Sequence, residues 1–154
     1  MLEEVRQAIT LTAGARELIS ALQKLGHQVG IVSGGFMDVI EPLAKELLID
    51  FIRANKLEIM EGKLTGRLEG SVIDRAGKAQ ALRDFAKISA VEIPETVAIG
   101  DGANDIDMLK IAGIGIAFNA KPILQSVADI SLNTPDLDCA LYLMGLSEAE
   151  IALI

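Results

Sequence analysis

The run Gly100-Asp101-Gly102-Ala103-Asn104-Asp105 sets two carboxylates and a carboxamide at the end of an apolar stretch. Hard oxygen donors in this arrangement suit Mg²⁺, which takes one or two carboxylates together with waters and a substrate phosphate. Gly100 and Gly102 let the backbone turn sharply and approach a ligand closely. The plainer reading is a helix cap, since Asn104 or Asp105 would cap the helix that follows. A cap needs only one such residue, and the longer string favours the metal site. Ser33-Gly34-Gly35 follows the β-branched run Val29-Gly30-Ile31-Val32. A hydroxyl and successive backbone N–H groups there would form a phosphate cradle at the start of the next helix. Taken alone, a glycine after a strand is usually only a turn. Lys78 lies on the helical run Asp74-Arg75-Ala76-Gly77-Lys78, where most lysines are solvated. In company with the other two motifs, its ammonium would hold a phosphoryl oxygen and stabilise developing charge.

Other reactive side chains read as structural. His27 stands in a loop before a strand without an Asp or Ser partner for a triad. Cys139 reads as a packed residue of the last helix. Asp136-Leu137-Asp138 reads as the cap of that helix, and Met108 and Met144 as core filling.

The elements that position these residues alternate. A helix is expected from Gly14 to Leu25, with Leu18, Ala21, Leu22 and Leu25 on one face and Gly26 as its stop. Gln28 to Val32 reads as a strand, then Phe36 to Leu48 as a helix in which Pro42 marks a bend. Phe51 to Ile59 and Leu64 to Leu68 form a hairpin around Glu61-Gly62-Lys63. A helix from Asp74 to Lys87 carries Lys78, and a strand from Thr96 to Ile99 feeds the aspartate run. A helix ending at Gly113, a strand over Ile114 to Phe118, a short helix from Pro122 to Ala128 and a strand at Ile130-Ser131-Leu132 follow. A last helix starts near Asp136, and Ser147-Glu148-Ala149-Glu150 opens a final turn. This alternation predicts an α/β fold with a mainly parallel sheet and helices on both faces. Ligands of such sheets bind at the carboxyl ends of the strands, where both glycine-rich turns fall.

At 154 residues the chain suffices for one domain with a real core. Its hydrophobic share of 51% and charged share of 23% are those of a globular protein. A net charge of −8 argues against a nucleic-acid surface. The single cysteine excludes an internal disulfide and a thiolate cluster, the acidic start is unlike a signal peptide, and no apolar run is long enough to span a bilayer. The expectation is a soluble cytoplasmic protein.

In their order, Ser33-Gly34-Gly35, Lys78 and Gly100 to Leu109 resemble the second, third and fourth motifs of haloacid dehalogenase (HAD) phosphatases. Leu11-Thr12-Ala13-Gly14-Ala15 and the run Gly115 to Pro122 are similar to the phosphoserine phosphatase branch. The resemblance implies a three-layer HAD-like, Rossmann-like core over residues 13–154, with residues 1–12 as the end of a cap. It implies Mg²⁺ as cofactor, with Asp101 as a ligand and Asp105 holding a metal-bound water. Ser33 and the Gly34 amide would hold phosphate, Lys78 would bridge phosphate and nucleophile, and Asn104 would contact the phosphate or leaving group. The implied reaction converts O-phosphoserine and water to serine and phosphate through an aspartyl-phosphate.

One motif of that family is missing. An apolar strand ending in Asp-x-Asp-x-Thr supplies the nucleophile there, and no such segment stands in these residues. Asp105-Ile106-Asp107 has the spacing but belongs to the fourth motif, and Asp136-Leu137-Asp138 follows Pro135. Arg75, Asn55 and Lys56 offer no replacement. The missing strand would lie centrally, between those ending at Ser33 and Asp101. Its loss predicts that these two close up, recruit another chain such as a second copy, or leave the domain unstable. The expected function is therefore phosphoserine phosphatase in a truncated form inactive alone. The alternatives are another small-molecule HAD phosphomonoesterase, and a non-catalytic phosphate- and Mg²⁺-binding protein or half of a split enzyme. A pump phosphorylation domain is disfavoured by the lack of membrane helices.

Overall fold

The computed structural model describes residues 9–154. The expected cap remnant lies mostly in residues 1–8, outside the described residues. Helix α1 (Ala15–Lys24) buries Leu18 and Ala21 of the predicted stripe together with Ala15, while Leu25, expected on that face, is exposed. Strand β1 (Gly30–Phe36) and helix α2 (Met37–Glu46) follow. Pro42 lies inside α2, which runs through it as one element. Strands β2 (Phe51–Met60) and β3 (Lys63–Glu69) form the expected antiparallel hairpin. Its turn residues, Glu61 and Gly62, both have positive φ, as a tight hairpin with the strands' right-handed twist requires.

Helix α3 (Arg75–Ile88) leads through a 3-10 turn to strand β4 (Val97–Gly100). Then come helix α4 (Ile106–Ile111), strand β5 (Ile114–Phe118), helix α5 (Pro122–Gln125) and strand β6 (Ile130–Leu132). Helices α6 (Ala140–Leu143) and α7 (Glu148–Ile151) close the chain.

The fold class is α/β with mainly parallel strands, as expected, but the strands sort into two three-stranded sheets. One has the order β1-β2-β3 and the other β4-β5-β6. Within them β1 pairs parallel with β2, and β5 pairs parallel with both β4 and β6. Strands β1 and β4 share no ladder, so the two edges have not closed onto each other. Side chains on β5 alternate between two cores. Ala117 joins Ala98, Leu109 and Leu124 in one, and Ile116 joins Leu18, Leu132 and Leu141 in the other. That alternation is what a strand covered by helices on both faces requires.

Helix α3 bridges the sheets. Phe85 stacks on Phe51 of β2 with ring centroids 5.0 Å apart, and Arg53 lies over the same ring. Leu82 packs against the core of the second sheet, as does Val32 of β1.

Three expectations need correction. The strand expected to stop at Val32 continues to Phe36, through Ser33-Gly34-Gly35. The register jumps from Val32 opposite Arg53 to Phe36 opposite Asn55, so the glycine turn is a bulge carried within the strand. The helix expected to Ala128 ends at Gln125, where Ser126 supplies the cap and a turn leads into β6. Asp136 does not cap the last helix with its side chain; a 3-10 turn over Leu137–Cys139 intervenes.

Candidate active site

Lys78 is placed by its helix start. Asp74 is the N-cap of α3, and its carboxylate accepts the Gly77 N–H at 2.8 Å. Lys78 is one turn in, on the buried face with Ala81 and Phe85. It is therefore not a solvated surface lysine. Its Nζ donates to Asp105 Oδ1 at 2.6 Å, and the two side chains are 9% and 5% exposed.

Asp105 is held from a second side. Its other oxygen, Oδ2, accepts the backbone N–H of Asp101 at 3.2 Å and of Gly102 at 3.0 Å. The carboxylate thus folds the loop after β4 back on itself, and makes no side-chain bond to the start of α4. Asp105 therefore stands at the N-cap position of α4 without capping it; its carboxylate instead closes the 3-10 turn Ala103–Asp105 that leads into that helix. Gly100 makes room for it: a Cβ there would stand 2.6 Å from Asp105 Cβ and Cγ. Asp101 and Asn104 are exposed in the same loop. Beside them an open cleft of about 430 Å³ is lined by Thr12, Ile99, Gly100, Asp101, Phe118, Asn119 and Leu137. It lies at the carboxyl ends of β4 and β5, where ligands of parallel sheets bind.

Ser33 and Gly34 lie in the bulge within the carboxyl half of β1. Ser33 Oγ accepts the Gly35 N–H at 3.0 Å, leaving the hydroxyl proton as a donor. No hydrogen bond joins Ser33 to Lys78 or Asp101 among the described residues. They are related instead through Asn55, a buried residue of β2 that links Gly34 to the chain entering α3. Sequence reasoning assigned Asn55 no role. Its signal was an amide within the strand Phe51–Met60, where asparagine is disfavoured.

A second ion pair lies beside the first. Arg75 donates to Asp107, across α3 and α4, one turn before Lys78 and two residues after Asp105. The hydrogen bond from Arg75 holds the Asp107 carboxyl below its ordinary value, and raises that of Arg75. No described group of three or more His, Cys, Asp or Glu residues converges as a metal cage. Asp101 and Asp105 offer two carboxylates, the donor set of a Mg²⁺ site completed by water and phosphate. Asp101 is exposed whereas the Asp105 carboxylate is buried among three hydrogen bonds, so direct ligation would fall to Asp101. Among the described residues no helix is long and apolar enough to cross a membrane.

Residues 1–110 match the haloacid dehalogenase-like hydrolase family. This chain belongs to that family. Over 151 residues it is 55% identical to phosphoserine phosphatase SerB2 of Mycobacterium tuberculosis, covering 98% of this chain and 37% of that protein. It is 52% identical over 151 residues to phosphoserine phosphatase of Streptomyces coelicolor, with the same two shares. The chain thus spans little more than a third of these curated relatives. A phosphoserine phosphatase solved as a phospho-aspartyl intermediate analogue superposes with a TM-score of 0.85 at 44% identity, over 92% of this chain and 68% of that one. A 3-deoxy-D-manno-octulosonate 8-phosphate phosphatase of Moraxella catarrhalis, solved with magnesium and phosphate ions, shares the fold at a TM-score of 0.59 and 24% identity, over 77% of this chain and 59% of that one.

Proposed function

We propose that the chain forms most of the catalytic core of a Mg²⁺-dependent phosphoserine phosphatase, acting in the cytosol on O-phosphoserine. The carrying observation is the buried Lys78–Asp105 pair folded against the Asp101 loop. A packed ammonium at the carboxyl end of a parallel sheet suits a phosphoryl group. The identities to phosphoserine phosphatases support the substrate.

In this reading residues 13–154 belong to the core and residues 1–12 to the end of a cap. The Ser33 hydroxyl and the Gly34 N–H bind phosphate, with Asn104 at the phosphate or leaving oxygen. Lys78 holds a phosphoryl oxygen and neutralises charge as it develops. Asp101 ligates Mg²⁺ and Asp105 orients a water beside it. The metal, when bound, neutralises phosphate charge and orients the displacement.

The nucleophile is an aspartate outside these 154 residues, since no Asp-x-Asp-x-Thr stands among them. A carboxylate oxygen attacks phosphorus as the bond to the serine oxygen breaks. Water then releases phosphate from the aspartyl-phosphate. The open edges of β1 and β4 favour a strand between them as the aspartate's carrier, whether from the same polypeptide or from a partner chain.

The test is calorimetric titration of the 154-residue chain with inorganic phosphate and Mg²⁺, alongside phosphate release from O-phosphoserine. Binding weakened in Ser33→Ala and lost in Lys78→Met and Asp101→Asn, without turnover, is the expected result. Absence of binding overturns the site. Turnover that Asp101→Asn abolishes would mean that a carboxylate of this chain is the nucleophile.

A further inference from the structure

The bulge that carries Ser33 interrupts the β1–β2 ladder between Val32 and Phe36. A strand that bulges in this way leaves peptide groups, here that of exposed Gly34, open to another hydrogen-bond partner. Asn55 provides it. Its Nδ2 donates to the Gly34 carbonyl at 2.8 Å. Its Oδ1 accepts the Ile73 N–H at 2.8 Å. The residue is 6% exposed, and both ends of its amide are used.

The Gly34 carbonyl and the Gly35 N–H belong to one planar peptide unit. Asn55 holds the carbonyl end, and Ser33 Oγ receives the N–H end at 3.0 Å. Fixing that plane therefore fixes which lone pair of Ser33 is occupied and where its proton can point. The other end of Asn55 reaches Ile73, next to Asp74, the N-cap of the helix that carries Lys78. One buried amide thus ties the hydroxyl-bearing turn to the lysine-bearing helix, two features that share no direct hydrogen bond.

Resting on the phosphatase reading above, we propose that Asn55 is a positioning residue: it orients the Gly34–Gly35 peptide, and through it the Ser33 hydroxyl, for phosphate, and sets that turn against the Lys78 helix. It touches no substrate. Its contribution is expressed through Ser33, and that distinguishes it from an amide that merely stabilises the fold.

The experiment is a double-mutant cycle on the 154-residue chain, with inorganic phosphate as the probe in Mg²⁺ buffer. Dissociation constants are read from the backbone amide signals of residues 33–35 by NMR. Asn55→Ala is expected to weaken binding about tenfold when Ser33 is present and less than twofold in the Ser33→Ala background. Should Asn55→Ala unfold the chain, Asn55→Asp takes its place in the same cycle. It keeps the acceptor for Ile73 and loses the donor to Gly34, and the Ile73 amide is expected to stay protected from exchange. Repulsion from its added charge would persist without Ser33, whereas an effect carried by Ser33 would vanish. Unchanged affinity, or an equal loss with and without Ser33, overturns the proposal and leaves the phosphate turn standing. Failure of the unsubstituted chain to bind phosphate overturns the phosphate turn, and the proposal with it.

Discussion

Removing either partner of the Lys78–Asp105 pair should be costly, and the two removals should differ. The side chains are 9% and 5% exposed, so water cannot replace the lost partner. Among the described residues the ammonium has Asp105 as its one hydrogen-bond partner, whereas Asp105 also accepts two backbone N–H groups. Asp105→Ala strands a buried ammonium and two loop N–H donors, a loss of about 3–5 kcal/mol. Lys78→Met leaves a carboxylate that keeps both backbone donors, a loss of about 1–3 kcal/mol. With a urea slope of about 2 kcal/mol/M, the first shifts the unfolding midpoint by roughly 1.5–2.5 M and the second by roughly 0.5–1.5 M. Lys78→Met combined with Asp105→Leu should cost less than Asp105→Ala alone, because no charge is then stranded. Urea unfolding followed by circular dichroism reads all of these. Equal losses from the two single substitutions, or a loss under about 1 kcal/mol for Asp105→Ala, would refute the reasoning.

A Cβ at Gly113 would stand 1.9 Å from the Pro94 carbonyl oxygen, backbone against backbone. Gly113→Ala should cost about 2–3 kcal/mol, a fall in Tm of roughly 4–12 °C by calorimetry; an unchanged Tm would contradict that contact. Arg75→Met should raise the Asp107 pKa toward the ordinary carboxylate range, read by carbon NMR titration. Because the folded pKa is depressed, the pair's stabilisation is complete above the unfolded-state value. It fades as pH falls through the lowered one. An Asp107 midpoint indifferent to Arg75 would show the pair to be absent in solution.

Most elements were legible because their signals are local. The hairpin over Phe51–Met60 and Lys63–Glu69 follows from the strand-like runs around Glu61-Gly62, and α3 from its apolar positions Ala79, Leu82 and Phe85, though not its Asp74 cap. The aspartate run at the end of β4 was likewise readable from residue type and spacing. What was not legible depends on contacts remote in sequence. Burial of Lys78 is set by Asp105, across 27 residues. The role of Asn55 is set by Gly34 and Ile73, on either side of it by about twenty residues. The strand end at Phe36 was missed because glycine marks a turn locally, while the ladder tolerates a bulge and resumes opposite Asn55. Asp105 was read for the metal site, and its engagement by Lys78 and by the loop before it was not legible from residue type.

The division into two sheets also bears on how the molecule gains and loses its structure. Every ladder joins segments close together along the chain: Gly30 faces Phe51, Leu57 faces Leu68, Val97 faces Ile114 and Ile116 faces Ile130. No strand of residues 30–69 pairs with one of residues 97–132. Each half can therefore zip up without waiting for the other, and short loop closures favour rapid folding. Cooperativity between the halves rests in large part on α3, whose Phe85 grips one sheet while Leu82 packs against the core of the other, with Val32 and the α1 bonds to Leu47 and Leu48 as further ties. Loosening α3 would uncouple them into two separately opening units, visible as two sets of exchange rates among the amide protons.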